Sequence, residues 1–135
     1  MSRKYIFIII FYFLCISSFS SYSQTVRGSN SRLIVKISNS EIRDSNSKKI
    51  GTIYSDGVVR DSKGIKLGTI RYDTVVNTNG ATIFIYDKNG TMRDINGRML
   101  YRIGNNSIRD SSGRLIMKYE DVPLTHIIGY ICFFK

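Results

Sequence analysis

The chain is 135 residues long and carries 20 Lys and Arg against 10 Asp and Glu, a formal net charge of +10. This length fits one domain rather than several. The two cysteines are Cys15 and Cys132, and Cys15 lies in an N-terminal segment that we expect to be removed. One remaining thiol excludes a fold held by internal disulfides, so the core and the backbone hydrogen bonds must stabilise the domain.

Residues 1–23 have the pattern of a signal peptide. Ser2-Arg3-Lys4 is a short basic segment, residues 5–16 are apolar, and residues 17–23 are small and polar. The apolar run is too short to cross a bilayer comfortably, and Ser21-Tyr22-Ser23 fits a small-x-small cleavage site. We predict an exported mature chain that begins at Gln24, has no membrane span, and resides in the periplasm, at the cell surface or outside the cell. The alternative is that this segment is retained as a membrane anchor.

Residues 24–135 form the predicted single domain, and they repeat one unit every 16 or 17 residues. The marker of each unit is an Arg, in most copies followed by Asp and preceded by a branched aliphatic residue or Met. The markers are Arg27, Arg43, Arg60, Arg93 and Arg109, with Val76 in a degenerate copy. Six turns are therefore visible, which indicates a repeat architecture.

Each unit has the composition of a β-hairpin. An Asp or Asn opens the turn, where its side chain accepts hydrogen bonds from backbone amides two or three residues on. These residues are Asp44, Asp61, Asn77, Asp94 and Asp110. Three residues later a Gly suits the left-handed conformation of such a turn. The closing residues are Gly64, Gly80, Gly97 and Gly113, with Ser31 and Ser47 as exceptions.

The residues after each turn predict strands with an irregularity. The third residue after the closing residue is aliphatic, and the sixth is aliphatic or Tyr, as in Ile50 and Ile53. Strict alternation would place these two on opposite faces, so we predict a β-bulge near Gly51 and Gly68 that brings them to one face. A second turn joins one hairpin to the next, and no segment has a useful helical period. The fold class is therefore all-β, built from repeated antiparallel hairpins.

The C-terminal residues 125–134 are almost all apolar. Ten residues are too few for a membrane span, and continuous apolarity predicts a strand buried on both faces that closes the set of hairpins. The alternative is an exposed apolar strand through which chains form a homo-oligomer.

The repeats resemble a known family. Val/Ile-Arg-Asp-Ser-x-Gly followed by Ile-Gly-x-Ile, clearest in residues 42–53 and 59–70, resembles the small secreted bacterial proteins called five-fold β-flower proteins. The end of the chain, from Tyr119-Glu120-Asp121-Val122-Pro123 into an apolar, Phe-containing segment, also looks like that family's closing segment. The resemblance covers residues 24–135. It implies hairpins arranged radially about a pseudo-five-fold axis, and it implies no activity.

The chain departs from the family pattern in two respects. Val76-Asn77 replaces Arg-Asp in one copy, and Phe84 stands where Gly51 and Gly68 stand in others. In addition, six turns separated by five periods leave open whether five or six hairpin units form. We hypothesise that the first half-unit pairs with the last to close one unit.

The mature chain lacks a recognisable catalytic set. His126 and Cys132 are six residues apart, which in a strand is about 20 Å. The oxygens of Asp87, Asn89 and Asp94 lack the carboxylate spacing of a calcium loop. We therefore predict no enzyme, no catalytic residue, no metal and no cofactor.

The recurring arginines are the candidate ligand contacts, and two interpretations are open. One is a series of Arg–Asp ion pairs on a solvated strand face. The other is a multivalent site for an anion or glycan, with Tyr54, Tyr72, Tyr86 and Tyr101 as stacking surfaces. An Asp beside most of the arginines reduces their positive electrostatic field, which favours the interpretation as ion pairs. Unlike the turn residues, Arg109 has no structural role that the local sequence requires.

Together these observations predict an exported, non-enzymatic β-repeat protein that serves as a structural or interaction module of the cell envelope. The alternative is a binding module for an anionic glycan or other polyanion, which contacts its ligand through Arg27, Arg43, Arg60, Arg93 and Arg109. The partner is unknown. An anionic envelope component fits the charge, and nucleic acid is not expected.

Overall fold

The computed structural model describes residues 24–135, so the predicted signal peptide lies outside the described residues. These residues form twelve β-strands followed by one α-helix. The elements are β1 (Gln24–Gly28), β2 (Leu33–Ser38), β3 (Glu41–Asp44), β4 (Lys49–Ile53), β5 (Val58–Asp61), β6 (Lys66–Ile70), β7 (Thr74–Asn77), β8 (Thr82–Tyr86), β9 (Thr91–Asp94), β10 (Met99–Gly104), β11 (Ser107–Asp110), β12 (Leu115–Glu120) and α1 (Leu124–Phe133). The predicted all-β class of hairpin repeats is confirmed.

The strands close into a barrel. Each strand pairs antiparallel with its neighbours along the chain, and β1 pairs with β12. Because β1 also pairs with β2, and β12 with β11, the β1–β12 contact joins two complete hairpins. The first and last strands therefore pair, as hypothesised, but each of them also belongs to a hairpin of its own. The barrel consists of six hairpins, and it does not confirm a pseudo-five-fold axis.

The turns within the hairpins have the predicted chemistry. Asp61 Oδ1 accepts hydrogen bonds from the amides of Lys63 at 2.9 Å and Ile65 at 3.0 Å. The amides lie two and four residues on, rather than two or three. The same pair of bonds forms at Asp44, Asn77, Asp94 and Asp110. Gly64 has φ +83, and Ser47 takes the same left-handed region at φ 65, which confirms the predicted position of the closing residue.

The predicted bulge is present in every hairpin. Ile42 pairs with Gly51 and Arg43 pairs with Lys49, so that Ile50 has no partner in the opposite strand. The unpaired residue is thus the aliphatic one before the glycine. The equivalent residues are Ile34, Ile50, Leu67, Ile83, Leu100 and Ile116. All six are partly buried, and five of them, all except Leu100, pack against the core, as the bulge was expected to allow.

The predicted C-terminal strand is wrong, because residues 124–133 form the helix α1. Burial of the segment is confirmed, since Ile127, Ile128, Tyr130 and Ile131 are all buried. A closed barrel offers no strand edge to which a thirteenth strand could pair. A helix satisfies its own backbone hydrogen bonds, so it can be surrounded by side chains on all sides. No helix in residues 24–135 is long and apolar enough to span a bilayer.

Helix α1 lies inside the barrel and forms one core with the inward residues of the strands. A Cβ atom added to Gly129 would lie 2.6 Å from Ile53 Cδ1 and 2.8 Å from Ile70 Cδ1, so the helix backbone approaches β4 and β6 closely. At the end of the chain the ring of Phe134 covers Gly51, and the ring of Phe133 covers Gly68. The interior is therefore packed with side chains, and the residues available for binding lie outside.

Candidate functional site on the outer wall

The five candidate arginines lie on the outer face of the barrel. Each follows an inward core residue, as Arg60 follows Val59 and Arg109 follows Ile108, and alternation along a strand turns the next side chain outward. They occupy β1, β3, β5, β9 and β11, one in each of five hairpins. In the remaining hairpin Val76 on β7 takes this position. The structure thus brings the predicted residues to one face of the sheet, distributed around its circumference.

Each of these arginines stabilises its own turn. Arg109 Nη1 donates to the carbonyl oxygen of Gly113 at 3.0 Å, and Arg60 Nη1 donates to that of Gly64 at 3.0 Å. The same bond recurs from Arg27 to Ser31, from Arg43 to Ser47 and from Arg93 to Gly97. The expectation that Arg109 has no local structural role is therefore wrong. The bond also fixes one end of each guanidinium group.

The predicted series of Arg–Asp ion pairs is not what the described residues form. The ion pairs within residues 24–135 join Arg43 to Glu41 at 2.7 Å, Lys49 to Glu41 at 3.4 Å, and Arg114 to Asp110 at 3.4 Å. None links a marker arginine to the Asp that follows it, because that carboxylate faces the turn amides. The Ser112 hydroxyl donates to Asp110 at 2.6 Å and holds the pKa of Asp110 below its ordinary value. The groups of the turn thus bind the carboxylate that was expected to neutralise the arginine.

A second set of residues faces the arginines across the junctions between hairpins. The cross-strand pairs at the six junctions are Lys36–Arg43, Thr52–Arg60, Thr69–Val76, Ile85–Arg93, Arg102–Arg109 and Lys118–Arg27. Sequence reasoning missed the partners Lys36, Arg102 and Lys118. The signal was present, because each partner is the fifth residue after the left-handed turn residue, but its position opposite an arginine depends on the strand register.

Three consecutive junctions therefore carry two cations each. Their six residues, on the neighbouring strands β10, β11, β12, β1, β2 and β3, are called the basic wall: Arg102, Arg109, Lys118, Arg27, Lys36 and Arg43. Side chains directly opposite one another on antiparallel strands are about 5 Å apart at Cβ, and like charges there are destabilising. Within residues 24–135 only Arg43 of this set forms an ion pair, and Arg43 holds the pKa of Glu41 below its ordinary value. The basic wall can therefore attract anions.

Of the tyrosines proposed as stacking surfaces, Tyr54 lines a surface cleft together with the marker arginine Arg60. Tyr54 and Tyr72 are exposed in turns between hairpins, whereas Tyr86 and Tyr101 are partly buried against the core. Lys88 lies over the ring of Tyr72, with its Nζ atom 5.8 Å from the centroid. A cleft of about 790 Å³ at this end of the barrel is lined by Tyr72, Tyr86 and Leu124, among others. At the basic wall the aromatic side chain that lines a cleft, with Arg27 and Lys118, is Tyr119, which was not among the proposed tyrosines.

His126 and Cys132 both belong to α1, and the helix changes their separation. Six residues of helix rise about 9 Å, less than the strand distance but beyond hydrogen-bond reach. Burial lowers the pKa of His126, and its Nδ1 atom is buried without a hydrogen-bond partner. Burial raises the pKa of the Cys132 thiol to about 12. A neutral thiol is a poor nucleophile, so this cysteine has the character of a core residue.

The raised pKa of Cys132 predicts a loss of stability at alkaline pH. Between the ordinary value of 9.0 and about 12 the thiol ionises in the unfolded chain but stays neutral in the folded one. The unfolded state then binds fewer protons, so the free energy of unfolding falls as pH rises through this window. We expect C132A to reduce this slope in urea unfolding experiments at pH 8, 9.5 and 11. An unchanged slope in C132A would contradict the prediction and assign the loss to tyrosines.

Comparison with known proteins identifies a family. A family model described as 5-fold beta-flower protein matches residues 23–135. Searches of curated proteins and of solved structures gave no match to this chain. The match covers every strand, the helix α1 and the basic wall.

Proposed function

We propose, since this chain belongs to the 5-fold beta-flower proteins, that it is an exported, non-enzymatic interaction module of the cell envelope that binds a polyanion. The signal-peptide pattern of residues 1–23 supports export. The packed interior leaves the outer surface for binding. His126 and Cys132 supply no nucleophile and base within reach of each other.

One observation carries the proposal. Five outward arginines are each anchored by the same Nη1 bond to a turn carbonyl. The anchor restricts the side chain, so less conformational entropy is lost when the rest of the guanidinium fork meets an anion. Repetition at the spacing of the hairpins allows several weak contacts to act together on one polymer. The arrangement suits a ligand with many negative charges better than a single small anion.

The double variant R60A/R109A tests the proposal. We expect it to bind an acidic polysaccharide at least about threefold more weakly than the wild type at low salt, because ion contacts release counterions and each contributes to the salt dependence. Binding is measured by isothermal titration calorimetry at several salt concentrations. The variant R60K/R109K, which keeps both charges but cannot reproduce the guanidinium fork, should recover much of the affinity.

A purely structural module is the second candidate, and the turn hydrogen bonds of the arginines favour it. In that case R60A/R109A lowers the melting temperature, while the wild type binds no anionic polymer at any salt concentration. Wild-type binding that does not depend on salt would also count against polyanion recognition.

A further inference from the structure

We propose that the ligand surface is the basic wall rather than the whole ring of arginines, and that its ligand is a linear anionic glycan lying across β10 to β3. This inference rests on the proposed function and deepens it. It assigns ligand contacts to Lys36, Arg102 and Lys118, which are not among the marker arginines of the repeat. It also predicts that the two halves of the barrel differ in binding, so that Arg109 rather than Arg60 accounts for the loss of affinity in R60A/R109A.

The six junctions are equivalent in the fold but not in charge. On one half all six junction positions are cations. On the other half the pairs are Thr52–Arg60, Thr69–Val76 and Ile85–Arg93, which supply two cations among six positions. The strand pairing is antiparallel and the register equivalent at all six junctions. The difference is therefore one of side chains on a common backbone.

The fold does not require the extra cations. Thr52 and Thr69 occupy the positions equivalent to Lys36, Arg102 and Lys118, and β4 and β6 pair there in the same way. Opposed cations on antiparallel strands lower stability. Lys36, Arg102 and Lys118 are exposed, and none of the three makes a side-chain hydrogen bond or ion pair within the described part of the chain. Because these opposed cations are destabilising and have no partner in the described part of the chain, we infer that their partner is another molecule.

The shape of the wall favours a polymer over a membrane. Six neighbouring strands, each about 4.8 Å from the next, extend about 25 Å around a convex surface that makes up half of the circumference. A flat bilayer would meet only a few of these strands at once. The exposed large apolar side chains lie elsewhere, at Tyr54, Ile65, Tyr72, Ile85, Ile95 and Leu124, so strands β10 to β3 have none to insert among lipids. A flexible chain can follow the curve.

The side chains beside the cations favour a glycan over a single-stranded nucleic acid. Recognition of single strands combines a cationic groove with aromatic surfaces on which bases stack. The aromatic residues of these strands, Tyr101 and Tyr119, are partly buried against the core. Ser107, which is partly exposed, lies opposite Lys118, and its hydroxyl group suits a sugar hydroxyl. Tyr119 lines a cleft with Arg27 and Lys118, but the wall has no series of exposed rings on which successive bases could stack.

The test uses the chain's own residues as replacements. The variant K36T/R102T/K118T introduces the threonine found at two equivalent junctions and should keep the fold. The matched control K63T/K66T/R71T removes the same charge from exposed positions on the other half. With alginate, a linear polyuronate, as probe, we expect the wall variant to bind at least about tenfold more weakly, with a shallower salt dependence. The control should change affinity by less than about twofold.

Equal weakening by both triple variants would overturn the basic wall and leave the proposed function in place. A wild type that binds no anionic glycan would overturn the proposed function itself. Two further probes test the glycan assignment. Tighter binding to single-stranded DNA of equal charge, or to vesicles containing phosphatidylglycerol, would overturn it, and weaker binding to both would support it. Circular dichroism of each variant establishes that the barrel is intact.

Discussion

Ending the chain at Pro123 should abolish folding. The deletion removes Ile127, Ile128, Tyr130 and Ile131, whose side chains are at most 7% exposed. Burying four such side chains contributes about 6–12 kcal/mol. That is comparable to the whole stability of a typical domain, about 5–15 kcal/mol. We expect the truncated chain to lack a cooperative melting transition and to precipitate or elute as an expanded species in size-exclusion chromatography.

A chain lacking only Lys135 provides the control, and it should fold. Adding the missing segment as a separate peptide should restore part of the circular dichroism signal, since the barrel supplies the cavity that the helix fills. A truncated chain that remains a folded, soluble monomer would contradict this account. If the full chain were an oligomer and the truncated one a stable monomer, the apolar segment would be an interface, as in the alternative drawn from the sequence.

The second large effect is expected at Gly51, where even one methyl group should destabilise the barrel. A Cβ atom there would lie 2.2 Å from Phe134 Cζ and 2.7 Å from the carbonyl oxygen of Arg60. The ring can move, but the carbonyl belongs to the neighbouring strand. Overpacking of this kind costs about 1–3 kcal/mol, and the backbone contact places G51A at the upper end. We expect the melting temperature to fall by about 10–20 °C.

Two further variants separate the contributions. Gly104 has no atom within 4 Å of its added Cβ and does not have a positive φ, so G104A should leave the melting temperature nearly unchanged. In G51A/F134A the ring is gone but the Arg60 carbonyl remains, so we expect only partial additional loss relative to F134A alone. A melting temperature for G51A equal to that of the wild type would show that the helix end does not pack against β4.

The turns were predictable because their determinants are local. Asp61 and Gly64 act through hydrogen bonds and a backbone conformation that span four residues, and an Asp or Asn opens the turn in five of the six hairpins. The bulge was predictable for a similar reason, since the spacing of Ile50 and Ile53 conflicts with alternation. Closure of the barrel was harder to predict from the sequence, because the pairing of β1 with β12 joins the two ends of the domain.

The helix could not be distinguished from a strand by pattern. Residues 125–134 are apolar in nearly every position, and such a segment has no periodicity to report its conformation. The deciding factor is tertiary, because only a helix fits within a closed sheet. The basic wall was hidden for a related reason. Lys36 and Arg43 are seven residues apart in the chain, and only the register places them opposite each other. The anchoring bond of Arg109 likewise depends on the direction of the Gly113 carbonyl.

The two glycines beneath the phenylalanine rings belong to a set of inward positions that runs around the whole barrel. One inward position, four residues after each closing turn residue, holds a different volume in nearly every hairpin: Val35, Gly51, Gly68, Phe84, Tyr101 and Met117. The surface of a single helix differs from one side to another. The six hairpins around α1 must therefore differ in the side chains that contact it. Phe84, which first marked a degenerate copy, fits this requirement. Side-chain volume on the inner face thus sets the rotational position of α1 within the barrel.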